Sequence, residues 1–156
     1  EGEEILEQWS TLIFCPIMIP SEAFNVHGIS TEVSRRDGLS LKDAVDLFRH
    51  RLKIADRVVA HNTSFDMQLM RIAFARLGLD ESELFRAPRF CTMRTATPIL
   101  QLPSPRGRGH KWPTLQEAYK RLVDSAGFES AHSADVDTLA CFKVMRALEE
   151  KGVQLV

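Results

Sequence analysis

Two stretches of the chain place an ionisable side chain where it turns into a helix. In Val59-Ala60-His61-Asn62-Thr63-Ser64-Phe65-Asp66, an apolar run ends in a polar turn and Asp66 falls in the first helical turn beyond it. In Ala131-His132-Ser133-Ala134-Asp135-Val136-Asp137, His132 stands just ahead of a helix and Asp137 about one turn inside. Asp137 shares its face with Ala140 and Cys141, which are small and apolar, so its carboxylate calls for a partner. A hard divalent cation such as Mg²⁺ takes oxygen ligands, and a histidine nearby can take a proton from water. Two such ions about 4 Å apart can clamp the attacking and leaving oxygens of a phosphodiester. Plainer roles exist for the same residues. Asp66 can simply complement a helix dipole, worth a few tenths to ~1 kcal/mol. Asp135 and Asp137 can be solvated acids at a helix start, with His132 a neutral loop residue.

Alternating strands and helices must position these groups, which gives an α/β class. Glu4–Phe14 is rich in β-formers and reads as a strand leading to Pro16 and Pro20. Ser21–Ser30 reads as a loop with a short helical turn broken at Gly28. Ser40 caps a helix whose stripe is Leu41, Ala44, Val45, Phe48 and Leu52. Arg57–His61 is a short buried strand, followed by a helix over Ser64–Leu77 with Phe65, Leu69, Ile72, Ala73 and Arg76 on its periodic face. Gly78 stops that helix. Arg89–Thr92 is another short strand. Gln101–Trp112 is a loop carrying Arg106, Arg108, His110 and Lys111, which can contact phosphates or simply be solvated. Thr114 and Glu117 have capping-box spacing, and Leu115, Ala118, Tyr119, Leu122 and Val123 face inward behind them. A last helix spans about Ser133–Glu150 with Val136, Leu139, Ala140, Val144, Ala147 and Leu148 on its buried side.

At 156 residues the chain fits one domain, here taken as residues 1–156. Hydrophobic residues at 44% and charged residues at 26% exclude a disordered or collagen-like chain. The net charge is −1, so no whole-molecule field draws in a polyanion and any such partner is held by local patches. Cys15, Cys91 and Cys141 are odd in number and far apart, which excludes a disulfide framework; they read as small core hydrophobes in a reducing compartment. No run approaches a membrane span and the acidic start is unlike a signal peptide, so the expected location is the cytoplasm. No Gly-rich phosphate loop is present.

In order along the chain, VAHNTSFD (Val59–Asp66) and AHSADVDTLACF (Ala131–Phe142) resemble the second and third motifs of the histidine-type DEDD 3′–5′ exonucleases. That family includes bacterial proofreading subunits and ribonuclease T. His132, Ala134 and Asp137 match its third motif in register. LIFCPIMIPSEAFNVHGIS, FCTM and KWPTLQEAY resemble further family segments, and the likeness runs from Glu4 to about Leu148. The resemblance implies a ribonuclease H-like exonuclease fold, a mixed sheet flanked by helices. It implies Asp66 and Asp137 as ligands of Mg²⁺ or Mn²⁺ and His132 as the general base. It sets His27, Asn62 and Phe65 near the 3′-terminal nucleotide, with the ring as a stacking element. For these three a loop residue, a turn former and a core aromatic are the plainer roles. A single-stranded nucleic-acid 3′ end is the implied partner, with a DNA polymerase subunit as a further one.

The family's first motif, Asp-x-Glu on the central strand, has no counterpart here. By the resemblance the chain begins at the family's third strand, so the first two strands are expected to be absent. That predicts an N-terminally truncated piece of a longer exonuclease, inactive or impaired as it stands, with unpaired sheet edges. A non-catalytic nucleic-acid-binding or subunit-contact module on the same fold is the alternative.

Overall fold

A computed structural model describes residues 5–129 and 133–155. His132 therefore lies outside the described residues. Helices α1 (Ser21–His27), α2 (Thr31–Asp37) and α3 (Leu41–Ile54) precede strand β1 (Val58–Ala60). Helix α4 (Thr63–Arg76), a 3₁₀ turn (Glu81–Phe85) and strand β2 (Arg89–Cys91) follow. Helices α5 (Thr92–Leu100), α6 (Leu115–Leu122) and α7 (Ala134–Glu150) complete the order. Among the described residues the sheet is the parallel pair β1–β2, with Val58 opposite Arg89, Val59 opposite Phe90 and Ala60 opposite Cys91.

Strand alternation divides the core in two. Val58 points to one face, where it packs on Val45, Leu52, Met67, Phe74, Leu84 and Ala87 from α3, α4 and the 3₁₀ region. Val59 points to the other, against Phe90, Ala96, Ala118, Tyr119, Ala140, Val144 and Leu148. Helices therefore cover both faces, as a parallel pair requires. This α/β layering holds the C-terminal ends of β1 and β2 side by side.

Several local expectations are met. Ser40 accepts a hydrogen bond from the Asp43 backbone N–H at 3.1 Å and caps α3. The Thr114–Glu117 box is closed in both directions, at 3.1 and 2.9 Å. Removing the cap with Thr114→Ala is expected to cost about 1 kcal/mol, the usual worth of an N-cap hydroxyl. Urea unfolding checks it: the midpoint should fall with the slope unchanged.

Others are corrected. Glu4–Phe14 is not a strand: among the described residues only Ile13 bridges to Leu39. The Phe14 N–H donates to the Leu39 carbonyl at 2.8 Å and the Leu39 N–H to the Leu12 carbonyl at 2.9 Å. A strand is defined by a ladder of such pairs, and the described residues before Leu12 have none. What holds this segment is buried Ser34 of α2, whose hydroxyl donates to the Ile13 carbonyl and accepts from the Cys15 N–H. Gly38 makes room, because a Cβ there would fall 2.3 Å from the Ser34 oxygen and 2.5 Å from the Phe14 nitrogen.

The buried side of α4 is also different from the one expected. Thr63, Met67 and Phe74 are buried, with Met70, Ala73 and Leu77 packed beside them. Phe65, Leu69 and Ile72 face outward. The helix carries two apolar stripes, and the flat chemistry of the pattern does not rank them. Helices α2 and α5 occupy stretches to which the sequence patterns assign no helix. Of the three cysteines read as core, only Cys141 is buried.

Candidate active site at the strand ends

Both strands deliver their chains to the same edge of the sheet, and in open α/β folds ligands bind outside the carboxyl ends of the strands. After β1 the backbone turns through Asn62, which adopts the left-handed region at φ 74° and ψ 52°. Asparagine tolerates that conformation better than most residues, which accounts for the turn. Its side chain makes no cap hydrogen bond to α4. Asp66 then sits in the first turn of α4. Phe65 is 58% exposed, so it is not a core aromatic and its ring is open to solvent.

His61 is the hub of this edge. Its Nε2 lies 2.9 Å from the Pro113 carbonyl, which can only accept, so that nitrogen carries the hydrogen. Burial holds the ring pKa below its ordinary value and keeps it neutral, against weaker opposing pulls from the Pro113 carbonyl and Asp66. Nδ1 is then an acceptor, and the Thr92 hydroxyl at 2.9 Å donates to it. That leaves the Thr92 oxygen to accept from the Cys141 thiol at 3.6 Å. Burial, with Asp66 and Cys91 adding to it, pushes the Cys141 pKa up to about 11, so the thiol keeps its proton. A directed chain of hydrogen bonds thus runs from α7 through the start of α5 to the loop after β1. Sequence reasoning passed over His61, Thr92 and Cys141. The signal available was that His61 and Thr92 each close a short strand pattern.

The depressed pKa of His61 predicts a pH dependence of stability. Above the unfolded value of about 6.5 both states are neutral and the full stability is present. As the pH falls below that value the unfolded chain takes up the proton first, so stability is lost down to the folded pKa. Urea midpoints should fall as the pH drops below about 6.5, and His61→Asn should flatten that slope. Measuring in an Asp66→Asn background removes the carboxyl whose shift has the opposite sign.

Desolvation raises the Asp66 carboxyl above its ordinary value, against its own backbone N–H and the attraction of His61. The residue as a whole remains exposed, so the carboxyl is crowded by the loop rather than sealed in it. No Lys or Arg pairs with Asp66 among the described residues. Asp66 acts on Cys141, and Asp137 stands four residues before Cys141 on α7, about 6 Å along the axis. Asp66 thus lies within electrostatic reach of Cys141 on α7. Asp137 is half-buried. Asp135 differs from it: the Ser133 hydroxyl and the Val136 N–H bind its carboxylate and hold its pKa down, so it serves the helix start.

His27 is set apart. It ends α1, and its Nδ1 accepts from the Ile29 N–H at 3.0 Å. No hydrogen bond, ion pair or ring contact joins it to the Asp66 loop among the described residues. A cavity of about 470 Å³ opens beside the starts of α4 and α5, lined by Ser64, Arg89, Cys91 and Arg94 among others. Neither Asp66 nor Asp137 lines it.

A family model described as exonuclease, RNase T, matches residues 1–145. The chain belongs to the RNase T exonuclease family. RNase T-type exonucleases fall in the DEDD superfamily, in agreement with the resemblance of the two motifs. No curated protein matches the chain. Among solved structures it is similar to E. coli exonuclease I in complex with a dA16 oligonucleotide, at 16% identity and a TM-score of 0.62. That likeness covers 86% of this chain and 32% of exonuclease I, so the chain spans about a third of that protein's length. It establishes the shared fold. No helix among the described residues is long and apolar enough to cross a membrane.

The donors present bear on a metal. Among the described residues no three His, Cys, Asp or Glu side chains group tightly enough to cage an ion. Mg²⁺ is commonly held by one or two carboxylates with water and substrate phosphate completing the shell. Asp66 fits that role, being a desolvated carboxyl with no cationic side chain against it.

Proposed function

We propose that this chain carries the second and third motifs of a metal-dependent 3′–5′ exonuclease that removes nucleotides from single-stranded DNA. Asp66 and Asp137 would hold Mg²⁺ or Mn²⁺, which when bound supplies positive charge to a phosphodiester in the act of cleavage. His132 takes a proton from water, the water oxygen bonds to phosphorus, and the bond to the 3′ oxygen breaks, releasing a nucleoside 5′-monophosphate. Neutral His61 does not act on substrate; it fixes the loop that carries Asn62, Phe65 and Asp66 through its bond to Pro113. Phe65 offers an exposed face on which the terminal base can stack, with Asn62 and His27 as further nucleotide contacts. The observation that carries this reading is the desolvated, cation-free Asp66 carboxyl within electrostatic reach of Cys141 on α7, in a chain of an exonuclease family. A DNA polymerase subunit as a further partner rests on the motif resemblance alone.

A second reading has a specific observation in its favour. The chain lacks Asp-x-Glu and has no three-ligand cluster among its described residues, as a non-catalytic nucleic-acid-binding module would. A 5′-labelled single strand separates the two. Stepwise shortening from the 3′ end with Mn²⁺, stopped by chelation, is expected for the nuclease. Binding with no shortening and no Mn²⁺-dependent stabilisation of the fold leaves the module.

A further inference from the structure

The loop before α6 is a built feature. The Lys111 N–H donates to the Leu102 carbonyl at 3.0 Å, and Pro103 pairs with His110 in an antiparallel bridge. The tip turns through Gly107 and Gly109, at φ 70° and 64°. Between Gln101 and Trp112 there is no acidic residue, although the chain as a whole carries a net charge of −1. Lys111 is taken by Glu117, but Arg106 and Arg108 are exposed and meet no carboxylate among the described residues. Trp112 follows them directly and is 62% exposed, a costly placement for so large a ring. The next residue, Pro113, is fully buried, and its carbonyl is the one held by His61. Loop and candidate active site are thus joined by one hydrogen bond at the loop's base.

We propose that this loop is a second contact for the single strand, holding nucleotides that precede the 3′ end. Arg106 and Arg108 take phosphates and the Trp112 indole stacks one base. Charge complementarity selects a polyanion, and the exposed ring beside the guanidinium groups selects one with accessible bases over an acidic protein surface. The inference rests on the nucleic-acid part of the proposed function but not on hydrolysis.

The test is equilibrium binding of a short fluorescein-labelled oligothymidylate in the presence of chelator, so that cleavage plays no part. Each phosphate contact on a single strand contributes about 0.7 to the slope of log K against log salt. The double variant R106A/R108A should therefore lower that slope by roughly 1.4 between about 50 and 200 mM salt. R106K/R108K should keep most of the slope, which separates lost charge from lost folding. Trp112→Ala should weaken binding about tenfold or more, the worth of one stacked base. In Trp9→Phe protein, the remaining tryptophan fluorescence should be quenched by the oligonucleotide. Unchanged affinity and slope in R106A/R108A would overturn the proposal. So would a parent protein that does not bind, or competition by polyglutamate equal to that by oligothymidylate. Intact binding with no hydrolysis under Mn²⁺ leaves the loop assignment standing and removes only the nuclease.

Discussion

Asp66→Asn is expected to make the protein slightly more stable without metal while removing its response to Mn²⁺. Two effects of opposite sign meet at this one carboxyl. Desolvation raises its pKa, so the folded state prefers it protonated. Stability from that group is present below the unfolded value near 3.9 and is lost as the pH rises through the folded pKa. At neutral pH the ionised carboxyl is a small liability, reduced by solvent because the residue is exposed. The amide removes the liability, and the melting temperature without metal should rise by up to about 3 °C. With metal the order reverses. A ligand at a hundred times its Kd stabilises by about 2.7 kcal/mol, which is roughly 5–10 °C for a domain of this size. The parent protein should show that rise with Mn²⁺, and Asp66→Asn and Asp137→Asn should both lose it. Turnover on a single-stranded substrate should fall about 10³-fold in either variant, since metal charge is worth several kcal/mol and each 1.36 kcal/mol is tenfold. Differential scanning fluorimetry across a Mn²⁺ series reads the first effect and nucleotide release the second. A Mn²⁺ response that survives in Asp66→Asn would remove Asp66 from the ligand set.

Asp66 was legible in the sequence because its surroundings are local. An apolar run, a polar turn and a helix start are adjacent in the chain, and Val58–Ala60 and Thr63–Arg76 stand within a residue or so of their expected bounds. The same holds for α3 and α6, whose caps lie in the sequence itself. What was misread or left unread was set by distant contacts. The segment before Leu12 has strand composition, yet a strand exists only where another backbone accepts its hydrogen bonds. Helix α5 contains Pro98 and three threonines, a poor helix by propensity. It forms because Thr92 and Ala96 are buried against the α6–α7 layer, and Pro98 comes late enough to cost little of the ladder. The outward stripe of α4 was taken for the inward one because only packing chooses between them. His61 escaped notice for a related reason: its partners Thr92 and Pro113 are 31 and 52 residues away.

His132→Ala is expected to lower turnover by about 10²–10⁴, the usual worth of a positioned general base, with little change in the Mn²⁺ response of the fold. His132 lies outside the described residues, but its place in the chain is fixed. It directly precedes Ser133, which heads α7, and Asp137 of that helix has its N–H bonded to the Ser133 carbonyl at 2.9 Å. His132 stands five residues ahead of Asp137 in the chain, the spacing of the third motif that the sequence resembles. The pH profile distinguishes this role from a structural one. A histidine base must be neutral to accept a proton, so turnover should climb with pH through one ionisation and then level off. In His132→Ala that limb should vanish, leaving a low rate that tracks hydroxide. His61→Asn offers the contrast. It should lower turnover by loosening the loop that carries Asp66, yet keep the limb, because its half-buried ring serves the Pro113 carbonyl and not the reacting water. If the limb disappears with His61 and persists without His132, the roles of the two histidines are reversed.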